Sequence, residues 1–287
     1  MSTVAAPVRA EPSAVAPPPQ VRAPKRKWAP IILRSYTALG ILYLVLPIGL
    51  MIMYSFNKTN AERVVLKWQG FTTEWYHPAA LFSIGDLTQA LLLSLEIAVL
   101  STILAVVLGT PIALALVRYR YRGKGTTDAI MFLNIAAPEI VMGAALLSFF
   151  VTLNVPRGFA TILISHVMFN IAFVVVTVRA RMTGFDRAME EAAQDLGAGP
   201  WTTFQKVTLP LIWPGILAGA LLAFALSIDD FVITNFVSGT TNTFPIWVYG
   251  VIRNALPAQI NVIGSAIFVT AVTFVALTTL RTGRVPR

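Results

Sequence analysis

The chain has 287 residues, of which 56% are hydrophobic and only 12% charged, and it carries a formal charge of +9 at pH 7. With a mean hydropathy of +0.72 it has too few charges to clothe a soluble domain, so the composition is that of an integral membrane protein. The sequence contains no cysteine, which excludes disulfides, thiolate metal sites and cysteine nucleophiles. No basic stripe interleaved with aromatics marks a soluble nucleic-acid-binding module, so the positive charge is assigned to topology and anionic lipid.

Residues 1–29 hold Pro7, Pro12, Pro17, Pro18, Pro19 and Pro24 among Ala, Val and Ser, a composition that suits a disordered, basic tail. The cluster Lys25-Arg26-Lys27-Trp28 then marks the membrane surface. The first apolar run is too long for the core of a cleavable signal peptide, so this span is expected to stay attached. Apolar runs of about 20 residues, the length that crosses a hydrocarbon core as helix, lie at 31–56, 90–117, 129–153, 159–178, 211–237 and 262–280. Ten-residue segments of alternating polarity are absent, which argues against a barrel. The expected fold is all-α with six transmembrane helices, in one membrane domain over 30–287.

The loop at 57–89 contains Trp68, Trp75 and Tyr76. Their spacing suits a structured segment at headgroup level. Within the spans, an ionisable group costs about 2.5–3.5 kcal/mol on insertion scales, so each calls for a partner or a polar cavity. Glu96 lies near the external end of the second span and can reach the headgroups. Glu139 follows Pro138 in the third, where the missing amide and the proline ring favour a kink beside the acid, as in a discontinuous, cavity-lining helix. His166 in the fourth span reads as a hydrogen-bonded packing residue, with Asn170 one turn later as its expected partner.

Between the fourth and fifth spans, Thr183-Gly184-Phe185-Asp186 has the spacing of a capping box, and Arg187 to Ala193 is rich in helix formers. Gly197 suits a left-handed helix end, and Pro200 the first position of a second helix. The segment at about 183–210 therefore predicts helix, sharp turn, helix, a knob able to insert into a partner. In the fifth span Asp229 and Asp230 are adjacent, about 22 Å along the helix from Pro214 at 1.5 Å per residue. Adjacent helical positions point about 100° apart, so at least one acid is expected to face a cavity. Two readings stay open: a pathway for a cation, or a structural network held by Arg253 or amide side chains.

Basic residues set the orientation. With the amino terminus inside, 17 of the 22 Lys and Arg residues fall on inside segments and five (Lys58, Arg63, Lys67, Arg157 and Arg253) outside. This places both termini and the 183–210 loop in the cytoplasm of a multi-pass protein of the cell membrane.

The loop resembles the EAA motif of ABC importer permeases: Glu191-Ala192-Ala193, three residues, Gly197, nine residues, then Val207-Thr208-Leu209-Pro210. Val207, where the family more often has Ile, keeps the apolar character. The resemblance implies the type I importer (MetI-like) fold and a loop in which Glu191, Ala192, Ala193, Gly197, Leu209 and Pro210 couple to a separate ATPase. A closer resemblance, to the spermidine/putrescine permeases of the PotC and PotI type, runs through Pro138-Glu139-Ile140-Val141, Asp229 to Gly239, Phe244 to Tyr249, and Ile252-Arg253, with Thr240-Thr241-Asn242 as a departure in the external turn. It implies a polyamine pathway through Asp229, Asp230 and Glu139, and as partners a sister permease, two ATPases and an extracytoplasmic polyamine-binding protein. No cofactor is expected in this chain, which lacks a phosphate-binding Gly-x-x-x-x-Gly-Lys-[Ser/Thr] loop; ATP and magnesium are implied on the ATPase. The rivals are a permease for another small solute, a proton-coupled secondary transporter, which would commonly show inverted repeats, and a membrane enzyme, for which no catalytic constellation assembles.

Overall fold

The computed structural model describes residues 29–58, 68–184, 186–252 and 257–282. Residues 1–28 of the tail expected at 1–29, together with Phe185 and Arg253, lie outside the described residues, and Ala29 opens the first helix. The chain divides into two units, Met1–Leu50 and Met51–Arg287. Of the first, the described part belongs to helix α1 (Ala29–Ser55), which is apolar over Ile32–Ser55.

In the second unit, the end of α1 is followed by a segment that folds back on it. Asn57 and Phe71 form an isolated antiparallel bridge, Lys58 N–H donates to Gly70 O at 2.8 Å, and Phe56 stacks on Phe71 and Tyr76. Trp75 Nε1–H donates to Asn57 O at 3.1 Å, and Tyr76 OH lies 2.6 Å from Ser55 Oγ. The aromatic loop expected from sequence is thus structured, with Trp75 and Tyr76 hydrogen-bonded to the end of the span. A single turn, α2 (Pro78–Leu81), leads into α3 (Gly85–Arg118).

The core of the second unit is a bundle of α3, α6 (Phe159–Met182) and α9 (Leu209–Asp229). Lipid is as apolar as Leu, so close helix association in a membrane relies on small side chains that let backbones approach. On α3 the buried stripe is Ala98, Ser101, Ala105, Gly109 and Ala113, three to four residues apart. Against it pack Val174, Val175 and Val178 of α6 and Ile212 and Ile216 of α9.

The third predicted span is two helices rather than one, α4 (Lys124–Ala136) and α5 (Glu139–Thr152), bent by 109°. Pro138 disfavours helical geometry at Ala137, which is extended (φ −69°, ψ 134°). The predicted kink is therefore a full break. The α4 side is fixed to α6 by Asp128 accepting from Arg179 at 2.5 Å and by Asn134 Nδ2 donating to Met168 O at 2.8 Å.

The fifth predicted span also departs from expectation: α9 stops at Asp229, and a short α10 (Val232–Val237) follows. After α11 (Phe244–Val251), the last helix α12 runs from Ala258 to Thr282. Among the described residues four helices are long and apolar enough to cross a membrane, five if the bent pair counts as one, and α12 adds a shorter apolar stretch at Ala258–Thr273.

Candidate functional site

The two breaks meet. Met142 of α5, Phe169 of α6 and Ile233 of α10 form one buried cluster, with Ala137 and Leu226 packed against it. Ala137 adjoins the α4–α5 break and Leu226 precedes the α9–α10 break, so the segments carrying Glu139 and the aspartate pair share one patch of core. Glu139 is the first residue of α5 and exposed, a position where the helix dipole favours an anion.

The paired acids have different surroundings. Asp229 is exposed, the last residue of α9. Asp230 has a side chain only 7% exposed and caps α10: its carboxylate accepts from the amides of Ile233 and Thr234 at 3.3 and 2.8 Å and from the Thr234 hydroxyl at 2.6 Å. This local capping competes with continuation of α9 and explains why the predicted helix stops. Of the two readings left open by sequence, Asp230 sits in a structural network and Asp229 does not share it.

That network reaches three further helices. His166 Nε2 lies 2.8 Å from Thr234 Oγ1 and 3.3 Å from Asp230 Oδ2, and Nδ1 lies 2.6 Å from Ser227 Oγ. Because the single Thr234 hydroxyl proton goes to Asp230, Nε2 is the donor toward Thr234. Ser227 Oγ is 3.0 Å from Ser101 Oγ, which in turn accepts from Asn170 Nδ2 at 3.5 Å. Ser101, His166, Asn170, Ser227 and Thr234 are all buried. The packing role expected of His166 holds, but its partners are Ser227, Thr234 and Asp230 rather than Asn170, which reaches Ser101 instead. Sequence reading passed over Ser101, Ser227 and Thr234; the available signal was that all three are hydroxyls in otherwise apolar helices. Glu96 is exposed on α3.

At the other end of the bundle lies the loop at 183–210. Helix α7 (Ala188–Asp195) starts where Asp186 Oδ1 accepts the Ala188 amide at 2.9 Å. Thr183 does not complete the expected capping box; its hydroxyl donates instead to Arg179 O at 3.1 Å, extending α6. Gly197 takes φ +86°, and α7 closes with Gly197 N–H to Gln194 O and Ala198 N–H to Ala193 O, at 2.8 and 3.0 Å. These are the two bonds of a Schellman motif, with glycine at the left-handed position.

Pro200 opens the four-residue helix α8 (Pro200–Thr203) as expected. A π-helical turn, Phe204–Thr208, joins it to Leu209 and Pro210 at the start of α9. Such turns are rare and recur at functional places in helices. Ala193 is half-buried while Glu191 and Ala192 are exposed. The surface also carries apolar groups in the open: Leu196 is 90% and Trp201 68% exposed.

The sequence matches the family described as binding-protein-dependent transport system inner membrane component over residues 105–283. The spermidine/putrescine transport system permease protein PotC of Escherichia coli K12 is 40% identical over 234 residues, covering 81% of this chain and 87% of PotC. The chain belongs to this permease family. The putrescine transport system permease protein PotI of the same strain is 38% identical over 257 residues, 87% of each chain. In fold, the permease is similar to a chain of a bacterial ABC transporter involved in the import of the acidic polysaccharide alginate, with a TM-score of 0.62 at 17% identity, covering 93% of this chain and 100% of that one. As a member of this family, the permease is a multi-pass transport component of the membrane and not an enzyme.

Proposed function

We propose that this permease forms the pathway of an ATP-driven importer of polyamine cations. The observation that carries the reading is the meeting of two broken helices, which brings the segments of Glu139 and Asp229 to one patch of core with both carboxylates exposed. Discontinuous helices are a recurrent way to present charged groups and free backbone to a solute. A linear polyamine needs separated anions, and these two acids come from different helices. The names of the relatives with 40% and 38% identity support the same substrate class.

On this reading Glu191, Ala192, Ala193, Gly197, Leu209 and Pro210 belong to the coupling loop, and the exposed Leu196 and Trp201 are its apolar contribution to an ATPase cleft. Both termini and this loop are cytoplasmic, following the basic-residue asymmetry. One loop serves one of two ATPases, so a sister permease completes the pathway, with ATP and magnesium on the ATPases and a polyamine-binding protein outside. Alternation between outward- and inward-facing states then follows from the ligands' unequal affinity for the two.

Uptake of radiolabelled putrescine, spermidine and other amines in cells holding the complete complex tests this. Saturable, ATPase-dependent accumulation of one or more polyamines is expected. Accumulation of an uncharged solute with no polyamine uptake would overturn the substrate class.

A further inference from the structure

Two adjacent glutamates on α7 have different surroundings. Glu191 is exposed, whereas Glu190, about 100° around the helix, turns toward the bundle. One oxygen of Glu190 accepts both from Arg118 Nη2 and from the Thr208 hydroxyl. Arg118 Nη2 also lies 3.2 Å from Thr208 Oγ1, and Arg187 Nη2 donates to Arg118 O at 3.1 Å. Arg118 is the last residue of α3, where the helix dipole favours a cation, and Thr208 is the last residue of the π turn entering α9. A single carboxylate thus ties the loop to two of the three central helices.

The cluster borders a cleft of about 400 Å³, whose lining also includes Pro111, Leu114 and Phe204. The Arg118 and Glu190 side chains are only 24% and 13% exposed, and partial burial strengthens a charge-assisted hydrogen bond relative to water. The loop needs such an anchor, because helices of eight and four residues are marginal on their own. Beyond the joint, α3 and α9 are linked by Ser101 and Ser227, and Ser227 by His166 to Asp230. Rigid helices and hydrogen bonds therefore connect Glu190 to the α9–α10 break without a gap, the kind of contiguous network that can carry coupling.

We propose that Arg118, Glu190 and Thr208 form the joint through which displacement of the coupling loop is passed to α3 and α9, with Glu190 as its positioning residue. The proposal rests on the reading of this loop as an ATPase-docking element and divides the labour within it: Glu191, Leu196 and Trp201 face the motor, while Glu190 moves the bundle.

The test uses the complete transporter in proteoliposomes, measuring labelled polyamine uptake and ATP hydrolysis side by side. Glu190→Gln keeps the shape and removes the charge. It is expected to recover the ATPase in wild-type amount, while solute moved per ATP falls about tenfold, within the usual range of a coupling interaction. Arg118→Glu alone fails in the same way, and its combination with Glu190→Arg restores much of the lost coupling by re-forming the pair. Wild-type uptake per ATP in Glu190→Gln overturns the proposal, as does loss of the ATPase from that variant when Glu191→Gln retains it. If Glu190→Gln does not accumulate in the membrane, Thr208→Val, which removes one leg and leaves the ion pair, is measured instead; wild-type coupling there also overturns the joint. Failure of the unaltered permease to recover an ATPase sinks the docking reading itself and is distinct from these results.

Discussion

Asp229 and Asp230 differ in chemistry although they are neighbours in sequence. Asp230 accepts two amides and a hydroxyl and faces His166, so removing its charge leaves a cap weakened inside a buried network. Asp230→Asn is expected to destabilise the chain by about 1–3 kcal/mol, the cost of buried polar groups losing their partners, visible as a lower unfolding temperature of the detergent-solubilised complex. Asp229 is exposed, and Asp229→Asn should instead lower polyamine uptake while unfolding temperature and recovery of the ATPase stay at wild-type values. If the two variants show the same stability loss, the division between a capping and a pathway acid is wrong. His166 belongs with Asp230: it holds Ser227 and Thr234 at 2.6 and 2.8 Å, so His166→Ala takes one partner from each of two buried hydroxyls, which keep Ser101 and Asp230, leaves a cavity, and should cost stability of similar size. Unchanged unfolding of His166→Ala would show that the network does not contribute stability of that size.

The elements legible in the sequence were those whose signals are local. Gly197, Pro200 and the helix formers before them specify a capped helix, a left-handed turn and a second helix, and these form at Ala188–Asp195, φ +86° and Pro200–Thr203. Pro138 foretold a kink, and the kink becomes a full break because the proline ring also constrains Ala137. The end of α9 was not legible, since Leu226 to Val237 contains neither Pro nor Gly to mark a stop, and the break depends on Asp230 finding the amides of Ile233 and Thr234. The Glu190–Arg118–Thr208 cluster was hidden for a different reason: its members are up to 90 residues apart and meet only once α3 and α9 are packed. Gly197 offers the test at this scale. Proline cannot adopt its φ, and the substitution also removes the Gly197 N–H bond to Gln194, a combined penalty of about 3 kcal/mol or more confined to the loop. Gly197→Pro should leave the chain in the membrane and abolish substrate-stimulated ATP hydrolysis by the complex; normal stimulation would mean that the shape of this turn is not what the partner reads.

At the scale of the whole molecule, the decisive question is where the energy enters. The central helices α3, α6 and α9 are joined by small-residue packing and by a hydroxyl–imidazole chain, which makes them a unit that a force at one end can displace. The carboxylates near the other end of that unit admit a second energy source, since Glu139 and Asp229 are also the groups a proton-coupled carrier would use. The two sources predict opposite results. If the loop is the entry point, the purified permease pair hydrolyses no ATP, and uptake into proteoliposomes requires the ATPase and internal ATP whatever the proton gradient. Collapsing that gradient with an uncoupler should leave the initial rate within about a factor of two, a difference of roughly 0.4 kcal/mol in barrier and smaller than any coupling term. Uptake that continues without the ATPase and stops with the uncoupler would assign the energy to protons at Glu139 or Asp229. In that case the exposed Leu196 and Trp201 would need another partner.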